Sequence, residues 1–84
     1  MRTVLYIISK GTPFALDLIP PASSHSDASV LLIQDGVRLT KVPSPRVYVL
    51  AEDAAARHVT PAFPAVSYPE MIRLMFEADT VIAL

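Results

Sequence analysis

The chain has 84 residues, a net charge of −1 from seven Lys and Arg against eight Asp and Glu, and no cysteine. This charge balance offers no basic surface for a phosphate backbone, which disfavours direct nucleic-acid binding. The missing thiol excludes a disulfide, a thiolate nucleophile and a thiolate metal ligand.

The length predicts a single domain, residues 1–84, in which hydrophobic residues make up 52% of the sequence. A domain this small can bury only part of that apolar surface in its own core, so we expect the remaining apolar surface to form a subunit interface. No apolar run approaches the roughly 20 residues needed to span a bilayer. A cytoplasmic location is therefore the default expectation.

The first part of the chain predicts a strand, a short helix and a loop. The apolar and β-branched residues 3–9 predict the strand, and Lys10-Gly11 the turn after it. Thr12 suits an N-cap and Pro13 the first helical position, whereas Pro20-Pro21 ends the helix. We expect the small polar residues 22–29 to form a loop.

A buried strand is predicted by Val-Leu-Leu-Ile-Gln at 30–34, because an apolar run this short suits a strand covered on both faces. Gln34-Asp35-Gly36 then predicts a turn in which Gly36 supplies a positive φ. Such polar groups at the carboxyl end of a central strand lie where open α/β sheets usually bind ligands. Eleven residues, two of them prolines, separate Gln34 from Arg46, and this crossover predicts either one irregular helical turn or an extended segment.

Residues 46–50 predict the third strand, and the alanine-rich segment 51–57 predicts a helix directly after it. Glu52 and Asp53 suit the first turn of that helix, and Asp53 and Arg57 form an i,i+4 pair. A loop, 58–64, is expected to follow.

A short fourth strand is predicted at 65–67, followed by a capping box in which Ser67 is the N-cap and Glu70 lies three residues later. The helix is expected to run to about Glu77, with Ile72, Met75 and Phe76 on its apolar face. Residues 81–84 predict the last strand. Tyr68, beside the cap, is either a core lid or an interface anchor. The order of elements predicts an α/β domain with a mostly parallel sheet.

Candidate catalytic residues are few. Asp35 could serve as an acid or a metal ligand, although an Asp before Gly more often shapes a turn. His25 and His58 each lack a second ligand at metal spacing, so we expect exposed bystanders. Serines flank His25 without the Gly-x-Ser-x-Gly elbow of a hydrolase. The sequence has two glycines, and no glycine-rich phosphate loop. We therefore predict no cofactor and no metal.

Three segments in this order carry a family resemblance: 30–37 (VLLIQDGV), 47–57 (VYVLAEDAAAR) and 66–74 (VSYPEMIRL). Together with 9–13 near the start, they resemble the DsrH/TusB family within the DsrE/DsrF/DsrH-like superfamily. The most specific feature is Gln-Asp-Gly-Val after a buried strand, followed at similar spacing by Val-Tyr…Glu-Asp…Ala-Arg.

The resemblance implies a small flavodoxin-like three-layer domain with a sheet of about five strands. It also implies a role in cytoplasmic sulfur relay, towards 2-thiolation of the wobble uridine of certain tRNAs or in sulfur oxidation. Subunits of this superfamily form hetero-hexamers. The expected partners are DsrE/TusD-like and DsrF/TusC-like chains, and the DsrE/TusD kind generally holds the persulfide cysteine.

Two departures from the family pattern matter. Some DsrH members carry a cysteine near the end of the first helix, where this chain has Ala22, Ser23 and Ser24. A serine hydroxyl cannot form an S–S bond, so this chain cannot hold a persulfide and is expected to be a non-catalytic subunit. The segment 38–45 is also short and proline-rich where a helix is usual, which leaves a homodimer open as an alternative.

The resemblance and the strand ends together nominate residues that would shape a site or an interface at the carboxyl edge of the sheet. These residues are Gln34, Asp35, Gly36, Glu52, Asp53, Arg57 and Tyr68. An alternative hypothesis is a stand-alone homo-oligomeric domain that binds a small ligand near Asp35 and Tyr68. A third is an enzyme that uses Asp35 with His58.

Overall fold

The structure of the protein is a computed structural model, which describes residues 2–11, 26–42 and 46–84. The predicted first helix, His25 with the serines that precede it, and the prolines of the crossover lie outside these ranges.

Within the described residues, five parallel strands form one sheet in the order β4-β3-β2-β1-β5. The strands are β1 Arg2–Ile8, β2 Ser26–Leu32, β3 Val47–Leu50, β4 Ala65–Val66 and β5 Thr80–Ala83. The predicted α/β class and parallel sheet are confirmed. Flavodoxin itself has the strand order 2-1-3-4-5. The strand order of this chain therefore differs from that of flavodoxin.

Helices cover both faces of the sheet. A 3-10 helix spans Gln34–Arg38, α1 spans Ala51–Ala56 and α2 spans Tyr68–Glu77. The 3-10 helix covers the predicted turn at Gln34-Asp35-Gly36 and the next two residues, whereas residues 39–42 of the crossover are not helical. No helix in the described part of the chain is both long and apolar enough to cross a membrane.

Strand β2 begins earlier than predicted. Ser26–Ser29 was expected to be loop, but these residues pair with β1 from Arg2↔Ser26 to Leu5↔Ser29. The expectation was wrong because small polar residues carry weak strand propensity, and the hydrogen bonds to a neighbouring strand decide the conformation instead. The strand also stops at Leu32, two residues before the predicted end.

Side-chain alternation divides the core between the two faces of the sheet. One face packs against the 3-10 helix and α1, and its buried members are Tyr6, Ile8, Val30, Leu32, Val37, Leu39, Val47, Val49 and Ala54. The other packs against α2 and contains Leu5, Leu31, Leu50, Val66 and Met71. Val30, Leu31 and Leu32 are fully buried because both faces of β2 are covered.

The capping box of α2 is confirmed. The backbone N–H of Glu70 donates to Oγ of Ser67 at 3.4 Å, and the backbone N–H of Ser67 donates to Oε1 of Glu70 at 3.3 Å. The predicted apolar face is wrong at Phe76, whose residue surface is 86% exposed, because the helix turns Met71 towards the sheet instead. Met71, Leu74 and Ala78 have helical spacing and belong to the packed cluster.

Candidate functional site at the carboxyl edge of the sheet

Three connections meet at the carboxyl edge, because β1, β2 and β3 are neighbours in the sheet. The chain leaves β1 towards Gly11, leaves β2 through the Gln34–Arg38 helix and leaves β3 directly into α1. A Cβ on Gly11 would lie 2.9 Å from the carbonyl oxygen of Asp35. The first two connections therefore approach each other closely at Gly11.

Gly36 is required for a different reason from the one predicted. Its φ is not positive, so the expectation that it supplies left-handed backbone is wrong. A Cβ on Gly36 would instead overlap the carbonyl oxygen of Ile8. That oxygen also accepts the backbone N–H of Ile33 at 2.9 Å, which fixes the end of β1 beside the turn. Glycine is needed here for close approach of two backbones.

The left-handed residue of this turn is Gln34, with a φ of 49°. Few non-glycine residues adopt this conformation, and it costs roughly 1–2 kcal/mol. The backbone N–H of Gln34 donates to Oδ2 of Asp53 at 2.7 Å. A charge-assisted bond of this length offsets the strain and ties the turn to the first turn of α1.

Arg57 makes the second tie between α1 and the turn. Its Nε donates to Oδ1 of Asp35 at 2.9 Å, and the two side chains are 27% and 64% exposed. The predicted i,i+4 partner of Arg57 was Asp53, but the structure directs both side chains to the turn, where Asp53 binds Gln34. Two side chains one helical turn apart therefore hold Gln34 and Asp35 together.

His58 has a structural role at the end of α1. Its φ is 54°, and its backbone N–H donates to the carbonyl of Ala55 at 3.2 Å. The N–H of Val59 donates to the carbonyl of Ala54 at 2.9 Å, which completes a Schellman motif. Sequence reasoning missed this motif, because its left-handed position is usually glycine.

Glu52 and Tyr68 differ from the other nominated residues in their placement. Glu52 is exposed on the first turn of α1. Tyr68 begins α2 after β4, which β3 separates from β2, and it is 56% exposed. This exposure excludes the role of core lid. The structure therefore brings together Gln34, Asp35, Gly36, Asp53 and Arg57, and leaves Tyr68 outside that group.

The arrangement suits recognition better than proton transfer. The carboxylate of Asp35 already accepts a hydrogen bond from Arg57, and Asp53 accepts one from the backbone. In the described ranges, no group of three or more His, Cys, Asp or Glu residues could hold a metal ion. The edge thus presents an ion pair on a turn that is hydrogen-bonded to α1.

A second surface of the protein is apolar and lies where α2 passes β5. Ile72, Met75, Phe76 and Val81 line a groove of about 370 Å³. Phe76 is 86% exposed and Val81 38% exposed. Exposed aromatic side chains beside an open groove are typical of a contact surface.

Comparison with solved structures supports the fold. The chain is similar to protein Tm0979 from Thermotoga maritima, whose structure was solved by solution NMR, with a TM-score of 0.70 and 27% sequence identity. The similar region covers 87% of this chain and 91% of that one. No protein-family model matches the chain. No curated protein matches it. The comparisons therefore support a small α/β fold.

Proposed function

We propose that this chain is a non-catalytic, DsrH/TusB-like subunit of a cytoplasmic sulfur-relay assembly. The assembly would serve 2-thiolation of the tRNA wobble uridine or sulfur oxidation. The three segments that resemble the family support this proposal, and the lack of cysteine removes a persulfide carrier from this chain. The observation that carries the subunit role is the exposed apolar groove between α2 and β5.

The groove has the composition of a protein contact. Phe76 can bury a large apolar area at low cost in conformational entropy. Arg73 and Glu77 are 66% and 65% exposed on the same helix and lie 3.8 Å apart, which provides a polar rim. β5 is an edge strand of the described sheet, a position at which a partner can add to a sheet. We assign the groove to a DsrE/TusD-like partner subunit.

The carboxyl edge would then have a positioning role. The Asp35–Arg57 pair is fixed by α1, and the turn that carries it is held by Asp53. A partner whose reactive cysteine approached this edge would meet the Asp35–Arg57 pair on a turn that is tied to α1. In this proposal the chain shapes the surroundings of the cysteine and does not itself accept sulfur.

Assembly is tested by mixing the purified chain with DsrE/TusD-like and DsrF/TusC-like chains from the same genome. Size-exclusion chromatography with light scattering measures the mass of each species. We expect co-elution at micromolar concentrations with the mass of a defined hetero-oligomer. Elution of this chain alone in every mixture would overturn the subunit proposal.

A variant pair tests the groove. Phe76→Asp places a charge where the partner's apolar surface would lie, and should abolish co-elution. Thr60→Asp adds the same charge at an exposed loop position and should leave co-elution unchanged. Equal behaviour of the two variants would exclude the groove as the contact. Tyr68→Ser tests whether the other exposed aromatic residue of α2 belongs to the same interface.

A further inference from the structure

A cavity of about 300 Å³ lies between α2 and the sheet, towards the amino ends of β1 and β3. Leu5 and Ser29 lie on its sheet side, with Arg46 and Tyr48 of the β3 region beside them, and Arg73 and Glu77 of α2 complete the wall. It therefore lies away from the turn that carries Asp35. Its volume is at the lower end of the range for small-molecule sites.

The strand register explains why there is space. Leu5 pairs with Ser29, and Val30 pairs with Val47, so Ser29 is the residue of β2 next to Arg46. Ser29 is 8% exposed and is the buried polar residue of the described core. Its side chain is much smaller than that of Leu31, the next residue of β2 on the same face. A small hydroxyl side chain in this row leaves room beneath α2.

The charged residues of the cavity favour an anion. Arg46 and Arg73 contribute two guanidinium groups to the described lining, and Glu77 contributes one carboxylate. Arg46 has a partner of its own, so an anion would bind to the remaining donors of the two guanidinium groups. The 3.8 Å between Nε of Arg73 and Oε1 of Glu77 exceeds hydrogen-bond length. A guanidinium has five N–H donors in a planar fork, so Arg73 can bind a carboxylate or phosphate in addition to Glu77.

We propose that this cavity binds a small organic anion with an apolar body. The anionic head would lie against Arg46 and Arg73, with hydroxyl donors from Ser29 and Tyr48. The apolar body would pack on Leu5. At about 300 Å³ the cavity has more room than a lone inorganic ion fills. The cavity shares Arg73 and Glu77 with the rim of the apolar groove, but the ligand proposal is tested on the isolated chain and does not depend on the proposed function.

NMR titration of the full ¹⁵N-labelled chain tests the ligand class. Benzoate and phenyl phosphate probe the two head groups, benzamide is the neutral analogue of benzoate, and inorganic phosphate lacks the apolar body. We expect saturable shifts of the Ser29, Tyr48 and Arg73 amides with benzoate or phenyl phosphate. Benzamide should cause none. Equal binding of benzamide and benzoate, or of inorganic and phenyl phosphate, would overturn the proposal, as would no saturable shift with any probe.

Two charge-removing variants test the residues. Arg73→Gln should weaken the better probe about tenfold or more, because one charge-assisted contact is lost. Arg38→Gln removes the same charge from an exposed position on the 3-10 helix and should leave affinity unchanged. Arg73 is 66% exposed, so its substitution should preserve the fold, which the NMR spectrum checks. If Arg73→Gln and Arg38→Gln bind the probe with equal affinity, the anion does not bind at Arg73.

Discussion

Gly36 lies so close to the backbone carbonyl of Ile8 that a Cβ at this position would overlap its oxygen. Gly36→Ala should therefore destabilise the fold by about 2–3 kcal/mol, because backbone and not a flexible side chain must move. Urea unfolding measures this loss. Gly11→Ala, which meets the carbonyl oxygen of Asp35 at 2.9 Å, should cost less. A larger loss for Gly11→Ala would contradict the assigned packing.

Asp53 should contribute more to stability than its acidic neighbour. Asp53→Ala removes the acceptor for the backbone N–H of Gln34 and should cost roughly 1–2 kcal/mol. Glu52→Ala, an exposed change on the same helical turn, should stay within about 0.5 kcal/mol of the parent. Similar free energies of unfolding for the two variants would show that the bond to Gln34 does not hold the turn.

The Asp35–Arg57 pair should be weak and sensitive to salt. Both groups retain solvent contact, at 64% and 27% exposure, so a double-mutant cycle with Asp35→Asn and Arg57→Gln should give a coupling of roughly 0.2–1 kcal/mol. In 1 M salt the coupling should fall, because the Debye length shortens to about 3 Å. A coupling that is unchanged by salt would indicate a buried pair.

His58→Gly should stabilise the protein. His58 has a φ of 54°, and relief of this left-handed strain, about 1–2 kcal/mol, exceeds the entropic cost of glycine, about 0.5–1 kcal/mol. We expect a net gain of roughly 0.5–1 kcal/mol, measured as a higher midpoint of urea unfolding. Ala55→Gly, inside the same helix, should have the opposite sign. A loss for His58→Gly would mean that its side chain makes stabilising contacts.

Met71 and Phe76 test the rotation of α2. Met71 is 8% exposed, so Met71→Ala should cost roughly 2–4 kcal/mol. Phe76 is 86% exposed, and Phe76→Ala should change the free energy of unfolding of the isolated chain by less than about 0.5 kcal/mol. Comparable losses would show that the predicted apolar face, with Phe76 inward, is the correct one.

The sequence by itself determined the local elements. The apolar run that starts at Val30 specified a doubly covered strand, and Ser67 with Glu70 specified the start of α2. The alanines of 51–56 specified α1. These features depend on residues within a few positions of one another, so short-range propensity and capping decide them. The lack of cysteine likewise excludes thiol chemistry by this chain, whatever its fold.

Only the tertiary structure decided how these elements meet. Ser26–Ser29 form a strand because they pair with β1. Arg57 forms an ion pair with Asp35 because β2 and β3 are neighbours in the sheet. The left-handed conformation predicted for Gly36 occurs instead at Gln34, whose backbone N–H donates to Asp53, 19 residues away. Each of these outcomes depends on groups distant in the chain, which strand order and register bring together and local pattern does not encode.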